Sequence, residues 1–297
     1  MRVLITGSTG FLGSAIARAC VSSGFEVLAI RRPNSSLARL DGIVEHIRFF
    51  DNTEQGIDDA LSCAGGCDSI IHTATSYGRQ GESATTLLET NTLFPLSLLQ
   101  KAETYRIKMF INIDTALDSN VNAYALSKRQ FSDWGHLLSE ARKLRFVNIR
   151  LEHLYGPGDD ASRFVTSIIR QCLSNAESIA LTEGRQMRDF IFIDDAISGI
   201  FKLLGSRESL PEGWSEFDLG SGNSVSIKEL VERIHKLINS TTHLNFGEVA
   251  YRKKEAMESK ANIVKLKRLG WGACTSLDEG LIKTINFEAA ELLDKKH

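Results

Sequence analysis

Seven residues near the N-terminus, Gly7-Ser8-Thr9-Gly10-Phe11-Leu12-Gly13, constrain what this chain can fold into more than any other feature. They follow the apolar run Val3 to Ile5 directly and open a segment, Gly13 to Ser23, with helical spacing. Three glycines at such a junction allow a tight strand-to-helix turn and let the backbone come close to a ligand. The first amides of a helix have no intrahelical acceptor and lie at its positive end, so a pyrophosphate suits them. In this strand-turn-helix context the run predicts a dinucleotide site, with Gly7, Thr9, Gly10, Phe11, Leu12 and Gly13 as cofactor-binding candidates. A glycine-rich turn with a packing role alone would leave three glycines at one strand end unexplained.

The first half of the chain repeats the pattern. Strand-like runs at Val3 to Ile5, Val27 to Ile30, Ile47 to Phe50, Ser69 to His72, Phe110 to Ile113 and Phe146 to Ile149 alternate with helix-length segments, among them Leu87 to Tyr105 and Tyr124 to Leu144. That alternation predicts an α/β fold of Rossmann type, a doubly wound parallel sheet. After Gly156-Pro157-Gly158 the alternation loosens. The expectation is a nucleotide-binding core over 1–155 and, over 156–297, a smaller C-terminal mixed α/β substrate lobe with some segments returning to the core. Chemistry is expected between the strand ends and that lobe. The patch Arg252 to Lys260 reads as a solvated loop.

About twenty residues after the glycines, where an NAD site usually places an acid for the ribose 2′-hydroxyl, the chain has Arg31-Arg32. A guanidinium pairs with a 2′-phosphate and stacks on adenine. NADP(H) is therefore expected rather than NAD(H), the alternative being that the two arginines only decorate a solvated strand end. Asp51, after the third strand, is placed to accept from the adenine amino group.

Composition excludes several classes. Thirty-five Lys plus Arg against 37 Asp plus Glu give a formal net charge of -2, no footprint for a nucleic acid. No apolar run is long enough to span a bilayer, so no membrane partner and a cytoplasmic location are expected. Five scattered cysteines, Cys20, Cys63, Cys67, Cys172 and Cys274, suggest neither a disulfide framework nor a zinc site, and His72 in its apolar run reads as structural; no metal is expected.

Tyr124-Ala125-Leu126-Ser127-Lys128 puts a phenol and an ammonium four residues apart, on one helix face. Lys128 can lower the Tyr124 pKa from its ordinary value near 10 and hold the nicotinamide ribose. A tyrosine so tuned exchanges a proton with a substrate oxygen while hydride moves at the carbon.

With these motifs the chain resembles, over nearly its whole length, the extended short-chain dehydrogenase/reductase family of epimerase/dehydratase type. That family includes nucleotide-sugar epimerases, dehydratases and 4-keto-sugar reductases. Further matching pieces are Asp68-Ser69-Ile70-Ile71-His72-Thr73-Ala74, Asn91, Arg150 through Tyr155-Gly156-Pro157, Arg188-Asp189-Phe190 with the following Ile191 to Ala196, and Leu269-Gly270-Trp271. The resemblance implies Thr115 as a third catalytic residue that holds the substrate oxygen beside Tyr124, and Asn52, Thr73, Ala74, Thr75 and Asn91 as further cofactor contacts. It implies Ser76, Thr115, His153, Arg188 and Arg252 on the substrate, the two arginines on its diphosphate. A plain strand-end threonine and a structural histidine are the other readings of Thr115 and His153. Ala116 and Leu117 stand where a 4,6-dehydratase has its acid and base, which argues against dehydration. Eight residues separate Thr115 from Tyr124, fewer than in most relatives, implying a differently shaped pocket.

The implied function is an NADP(H)-dependent reductase of a nucleotide-linked 4-keto-6-deoxyhexose. A nucleotide-sugar 4-epimerase with bound NAD is the nearest alternative, and a non-catalytic NADP(H)-binding sensor or scaffold is the alternative of another class. The resemblance also implies a homodimer through the helices Leu87 to Tyr105 and Tyr124 to Leu144.

Overall fold

The computed structural model describes residues 1–63, 66–140 and 144–294. Two compact units divide the chain: Met1–Leu151 with Ile200–Phe217, and Glu152–Gly199 with the stretch from Asp218 onward.

The first unit is built on a sheet of β1 (Arg2–Thr6), β2 (Glu26–Arg31), β3 (Ile47–Asp51), β4 (Ser69–His72), β5 (Met109–Thr115) and β6 (Arg145–Leu151). With β10 (Gly213–Leu219) at one edge, the strand order is β3-β2-β1-β4-β5-β6-β10. The first six pair in parallel, with Leu4 opposite both Leu28 and Ile70, and Phe110 opposite both Ile70 and Phe146. The strands read as unbroken apolar runs because helices cover both faces, and Val3, Leu4 and Ile5 are wholly buried. The order reverses between β1 and β4, which places the crevice of a doubly wound sheet at the C-terminal ends of those two strands.

The helices of this unit are α1 (Phe11–Ser22), α2 (Glu54–Leu61), α3 (Ala84–Leu88), α4 (Phe94–Thr104) and α5 (Ala123–Glu140). Helix α1 starts two residues before the spacing suggests, because Gly10 already has the extended geometry of a cap. Leu87 to Tyr105, expected as one helix, is interrupted by a wide π turn over Glu89–Leu93. Pro95 in the first turn of α4 lacks an amide hydrogen and would press on the carbonyl of Asn91, so the backbone opens there. Helix α5 buries Ala125, Lys128, Phe131, Ser132 and Gly135, a stripe at helical spacing, against the sheet; residues 141–143 of the expected helix lie outside the described residues. Phe110, Phe131 and Phe146 form the centre of that packing, with Phe110 stacked on Phe146 at 5.3 Å between ring centroids.

The second unit holds β7 (His153–Tyr155), α6 (Phe164–Leu173), β8 (Ser178–Leu181), β9 (Met187–Phe192) and the start of α7 (Ile193–Gly205). It continues with β11 (Ser224–Ser226), α8 (Ile227–Ile238), β12 (His243–Phe246), α9 (Val264–Arg268) and α10 (Leu277–Asp294). Strand β9 lies between β7, parallel, and β11, antiparallel, while β8 pairs with β12. Helix α8 is legible in sequence: the Ser226 hydroxyl accepts from the Glu229 amide, Ile227, Leu230, Val231 and Ile234 form its buried face, and Asn239 closes it in the left-handed region at φ 56°. Among the described residues no helix is long and apolar enough to cross a membrane.

Candidate active site

Apart from Asn91, Tyr124 and Lys128, the cofactor candidates of the first unit fall at or just after the C-terminal end of a strand. The glycine turn joins β1 to α1, and its conformation is one that side chains would block. Gly7 has φ +71°, and a Cβ there would lie 2.6 Å from the Ala74 amide nitrogen; at Gly13 a Cβ would lie 2.1 Å from the Gly7 carbonyl oxygen. The first turn of α1 has no side-chain cap, so its free amides at Phe11, Leu12 and Gly13 are left for an anion. Thr9 is half-buried in the turn. Thr73 and Ala74 follow β4, where the Thr73 hydroxyl donates to the Thr6 carbonyl at 2.7 Å and the Ala74 amide reaches the Thr6 hydroxyl at 3.3 Å. His72 Nδ1 bonds that same hydroxyl at 2.7 Å in a fully buried position, and burial holds the imidazole pKa well below its ordinary value, so it is neutral and structural.

Arg31 ends β2 and stands in register with Asp51 at the end of β3. Its guanidinium lies 5.1 Å from the centre of the Phe49 ring and donates to the Pro33 carbonyl at 2.9 Å. The stack holds the group at the strand ends before any ligand arrives. Arg32, Asp51 and Asn52 are exposed beside it, and the Asn52 amide donates to the Arg31 carbonyl.

Lys128 lies one turn beyond Tyr124 on α5. It is 1 % exposed, and its Nζ is buried with no hydrogen-bond partner. Burial pushes its pKa down to about 8, against the opposing charge of Asp114. An orphaned buried ammonium is expensive, and a bound ribose with two hydroxyls would satisfy it. This group, the glycine turn and the uncapped helix fit a nicotinamide dinucleotide. The half-buried ring of Tyr124 lies 5.1 Å from that of Tyr77. Thr115 ends β5; its hydroxyl oxygen accepts from the Leu117 amide at 3.2 Å, and among the described residues no acceptor takes its proton, so it can donate to a substrate oxygen.

Asn91 is fully buried in the π turn and saturated. Its amide donates to the Ser76 carbonyl and the Ser127 hydroxyl, both at 2.9 Å, while its oxygen accepts from the Ser76 amide at 2.8 Å and the Thr75 hydroxyl at 3.1 Å. It therefore pins the segment after β4 to α5. Ser76, so held, donates to Glu82 at 2.8 Å.

In the second unit, Arg188 and His153 come together on β9 and β7, where His153 stands in register with Phe190. Arg188, 6 % exposed, donates to the Met187 carbonyl at 2.8 Å and is paired with Glu255. Glu255 belongs to the Arg252 to Lys260 loop, in which Arg252 is exposed. The His153 ring packs tilted against Phe190 at 5.5 Å between centroids, and its Nδ1 lies 3.4 Å from the Glu152 carboxylate, which also accepts from the Ser259 hydroxyl at 2.8 Å. Asp189 is a latch rather than a ligand: its carboxylate accepts from Ser221, Gly222 and Ala261, joining two loops to β9.

Residues 3–216 match the NAD-dependent epimerase/dehydratase family model. The chain belongs to that family. This epimerase/dehydratase-family member is an NAD(P)-dependent oxidoreductase of the extended short-chain dehydrogenase/reductase kind. It is 32% identical to the CDP-abequose synthase of Salmonella muenchen, covering 97% of this chain and 98% of the relative. It is 34% identical to the CDP-abequose synthase of Salmonella typhimurium strain LT2, covering 91% and 92%. Among solved structures, UDP-glucose 4-epimerase of Thermus thermophilus in complex with NAD has the same fold, with a TM-score of 0.82 at 20% identity over 97% of this chain and 99% of that one.

Reading the sequence missed Tyr77, Glu82, Ser127, Glu152 and Glu255. Tyr77 and Glu82 lie in a stretch with no periodicity, and Glu255 in a charged loop that reads as solvated. Glu152, next to His153, was the one that could have been found, as an acid inside a strand-like run.

Proposed function

We propose that this enzyme uses NADPH to reduce the 4-keto group of a nucleotide-linked 4-keto-6-deoxyhexose to an alcohol. The observation that carries the reading is the Tyr124, Lys128 and Thr115 set at the ends of a sheet whose β2 closes on Arg31, in a chain similar over nearly all its length to CDP-abequose synthases. When bound, NADPH supplies the hydride that goes to C4. Tyr124 donates its phenolic proton to the carbonyl oxygen as that carbon is reduced. Thr115 donates a hydrogen bond to the same oxygen and orients it. Lys128 holds the ribose hydroxyls with its ammonium, and its charge eases proton loss from Tyr124. Arg188 and Arg252 serve the diphosphate, for which a guanidinium fork is suited, and His153 contacts the sugar.

The test is an absorbance assay of NADPH and NADH oxidation with CDP-, dTDP-, GDP- and UDP-linked 4-keto-6-deoxysugars. Stoichiometric NADPH consumption with one of them is the expected outcome. No net consumption, with NAD released on denaturation, would replace this reading by the 4-epimerase. In the same assay Arg31→Asp is expected to reverse cofactor preference, raising the KM for NADPH roughly a hundredfold by losing the 2′-phosphate pair, while NADH improves. An unchanged ratio removes Arg31 from the cofactor site.

We also infer a homodimer through α5. Leu126, Trp134 and Leu137 are 48, 44 and 62 % exposed and recur at helical spacing along one face, an apolar surface that a second copy would cover. Sedimentation is expected to give a dimer that Leu137→Glu with Leu126→Glu dissociates. A monomeric wild type, or a variant that stays dimeric, overturns this.

A further inference from the structure

Alternation along β5 turns Phe110, Asn112 and Asp114 to one face. Level with Phe110 that face is apolar, with Ile70 and Phe146 beside it; above it, a ladder of amides and carboxylates crosses three strands. Asn112 on β5 donates to Asn148 Oδ1 on β6 at 2.8 Å. The Asn148 amide donates in turn to Asp114 Oδ2 at 3.2 Å and to Glu216 Oε2 on β10 at 3.0 Å. Asp114 Oδ1 accepts from the backbone amide of Thr115 at 2.8 Å. Asn112 and Asn148 are wholly buried and Asp114 nearly so, at 7 % exposure. Each of these groups costs desolvation energy that an apolar sheet face would avoid, so the ladder needs a purpose at one of its ends.

One end is the half-exposed Glu216. The other is Asp114, whose carboxylate is held in a fixed orientation by donors from its own backbone and from the next strand. The charged groups around it are few. Lys128, on the helix packed against β5, is buried with no hydrogen-bond partner. His72 on β4, the register neighbour of Asn112, is kept neutral by burial. Arg150 on β6 is the register partner of Asp114 itself. Tyr124 lies one helical turn from Lys128. Among the described residues, Asp114 is the one group whose charge opposes the effect of burial on Lys128.

We propose that Asp114 is a positioning residue of the active site: a single carboxylate, anchored by Asn148, that fixes the Thr115 backbone and supplies the counter-charge for the buried Lys128 ammonium. The inference rests on the reading of Tyr124 and Lys128 as the acid/base pair. It explains why an acid sits beside the substrate-oxygen site of an enzyme whose mechanism gives that acid no proton to move. The Asn148 side chain and the Thr115 backbone amide each satisfy one oxygen of Asp114 without neutralising it, because an amide donates a hydrogen bond and carries no charge.

The experiment reads Lys128 directly and needs no substrate. Lysine side chains are labelled with 13C at Cε, the Lys128 resonance is assigned by its absence in Lys128→Met, and its titration is followed by NMR in the full chain. In Asp114→Asn it is expected to titrate about one pH unit lower than in the wild type. An unmoved titration overturns the proposal. A thermal double-mutant cycle covers the case in which Asp114→Asn is too unstable to titrate. Asp114→Asn is expected to lower the melting temperature less in the Lys128→Met background than in the wild type. Equal losses in the two backgrounds, or failure of the double variant to fold, assign Asp114 a merely structural role and overturn the proposal. Failure of the acid/base reading shows elsewhere, as turnover retained by Tyr124→Phe.

Discussion

Tyr124→Phe is expected to lower turnover by roughly three orders of magnitude and to leave NADP(H) binding intact, because it removes one proton donor and little else. The half-buried ring keeps its packing against Tyr77, 5.1 Å away, so the phenylalanine fills the same space. Since the phenol acts on the substrate oxygen as the carbon is reduced, kcat and kcat/KM should fall together, while the Kd of NADPH, read by fluorescence quenching, should not move. The same variant separates an enzyme from a nucleotide-binding scaffold. A turnover within threefold of wild type would remove Tyr124 from the chemistry and with it the reductase mechanism.

Lys128→Met is expected to abolish activity and to make the protein more stable, a combination that an ordinary buried core residue would not show. The folded state holds the lysine pKa at about 8, below the unfolded value near 10.4, because burial disfavours the charge. Below pH 8 both states carry the proton and the full cost of the buried charge is present. Between about pH 8 and pH 10.4 the unfolded state binds more protons, so wild-type stability rises with pH through that window. The displacement corresponds to ~3 kcal/mol. Methionine has similar length and no charge, so at pH 7 the cofactor-free variant should melt several degrees higher, and the gap should close as pH approaches 10.4. Melting curves at pH 7 and pH 10 decide it: a variant that melts lower at pH 7 shows that Lys128 is compensated in the folded state and is not a stored cost.

The glycine turn made the first unit legible. A strand, three glycines and a helix at the N-terminus admit few folds, and the apolar runs that follow fall on β2 to β6, differing at the ends by at most two residues. The strands could be read because parallel strands buried on both faces leave an uninterrupted apolar signal. Tyr124 and Lys128 could be read because residues four apart on a helix meet by local geometry alone. Arg31 and Thr115 could be placed because both end a strand. The helix from Leu87 could not be read correctly, since the effect of Pro95 is felt four residues earlier, at Asn91, where no local propensity marks a π turn.

By itself the sequence determined the fold class and located the glycine turn and the Tyr124–Lys128 pair on which the proposed function rests, all of which depend on spacing within a few residues. Only the tertiary structure showed that Asn91 is spent on Thr75, Ser76 and Ser127, that Asp189 joins two loops to β9, and that Arg188 is already paired with Glu255. It also decided how Asp114 is held beside Lys128, because Asp114, Asn148 and Glu216 come from three strands and meet only when β5, β6 and β10 assemble side by side. Contacts between residues 34 and 68 positions apart follow from strand order and register, and the energy that sets those, burial of a whole sheet face, belongs to no single segment of the chain.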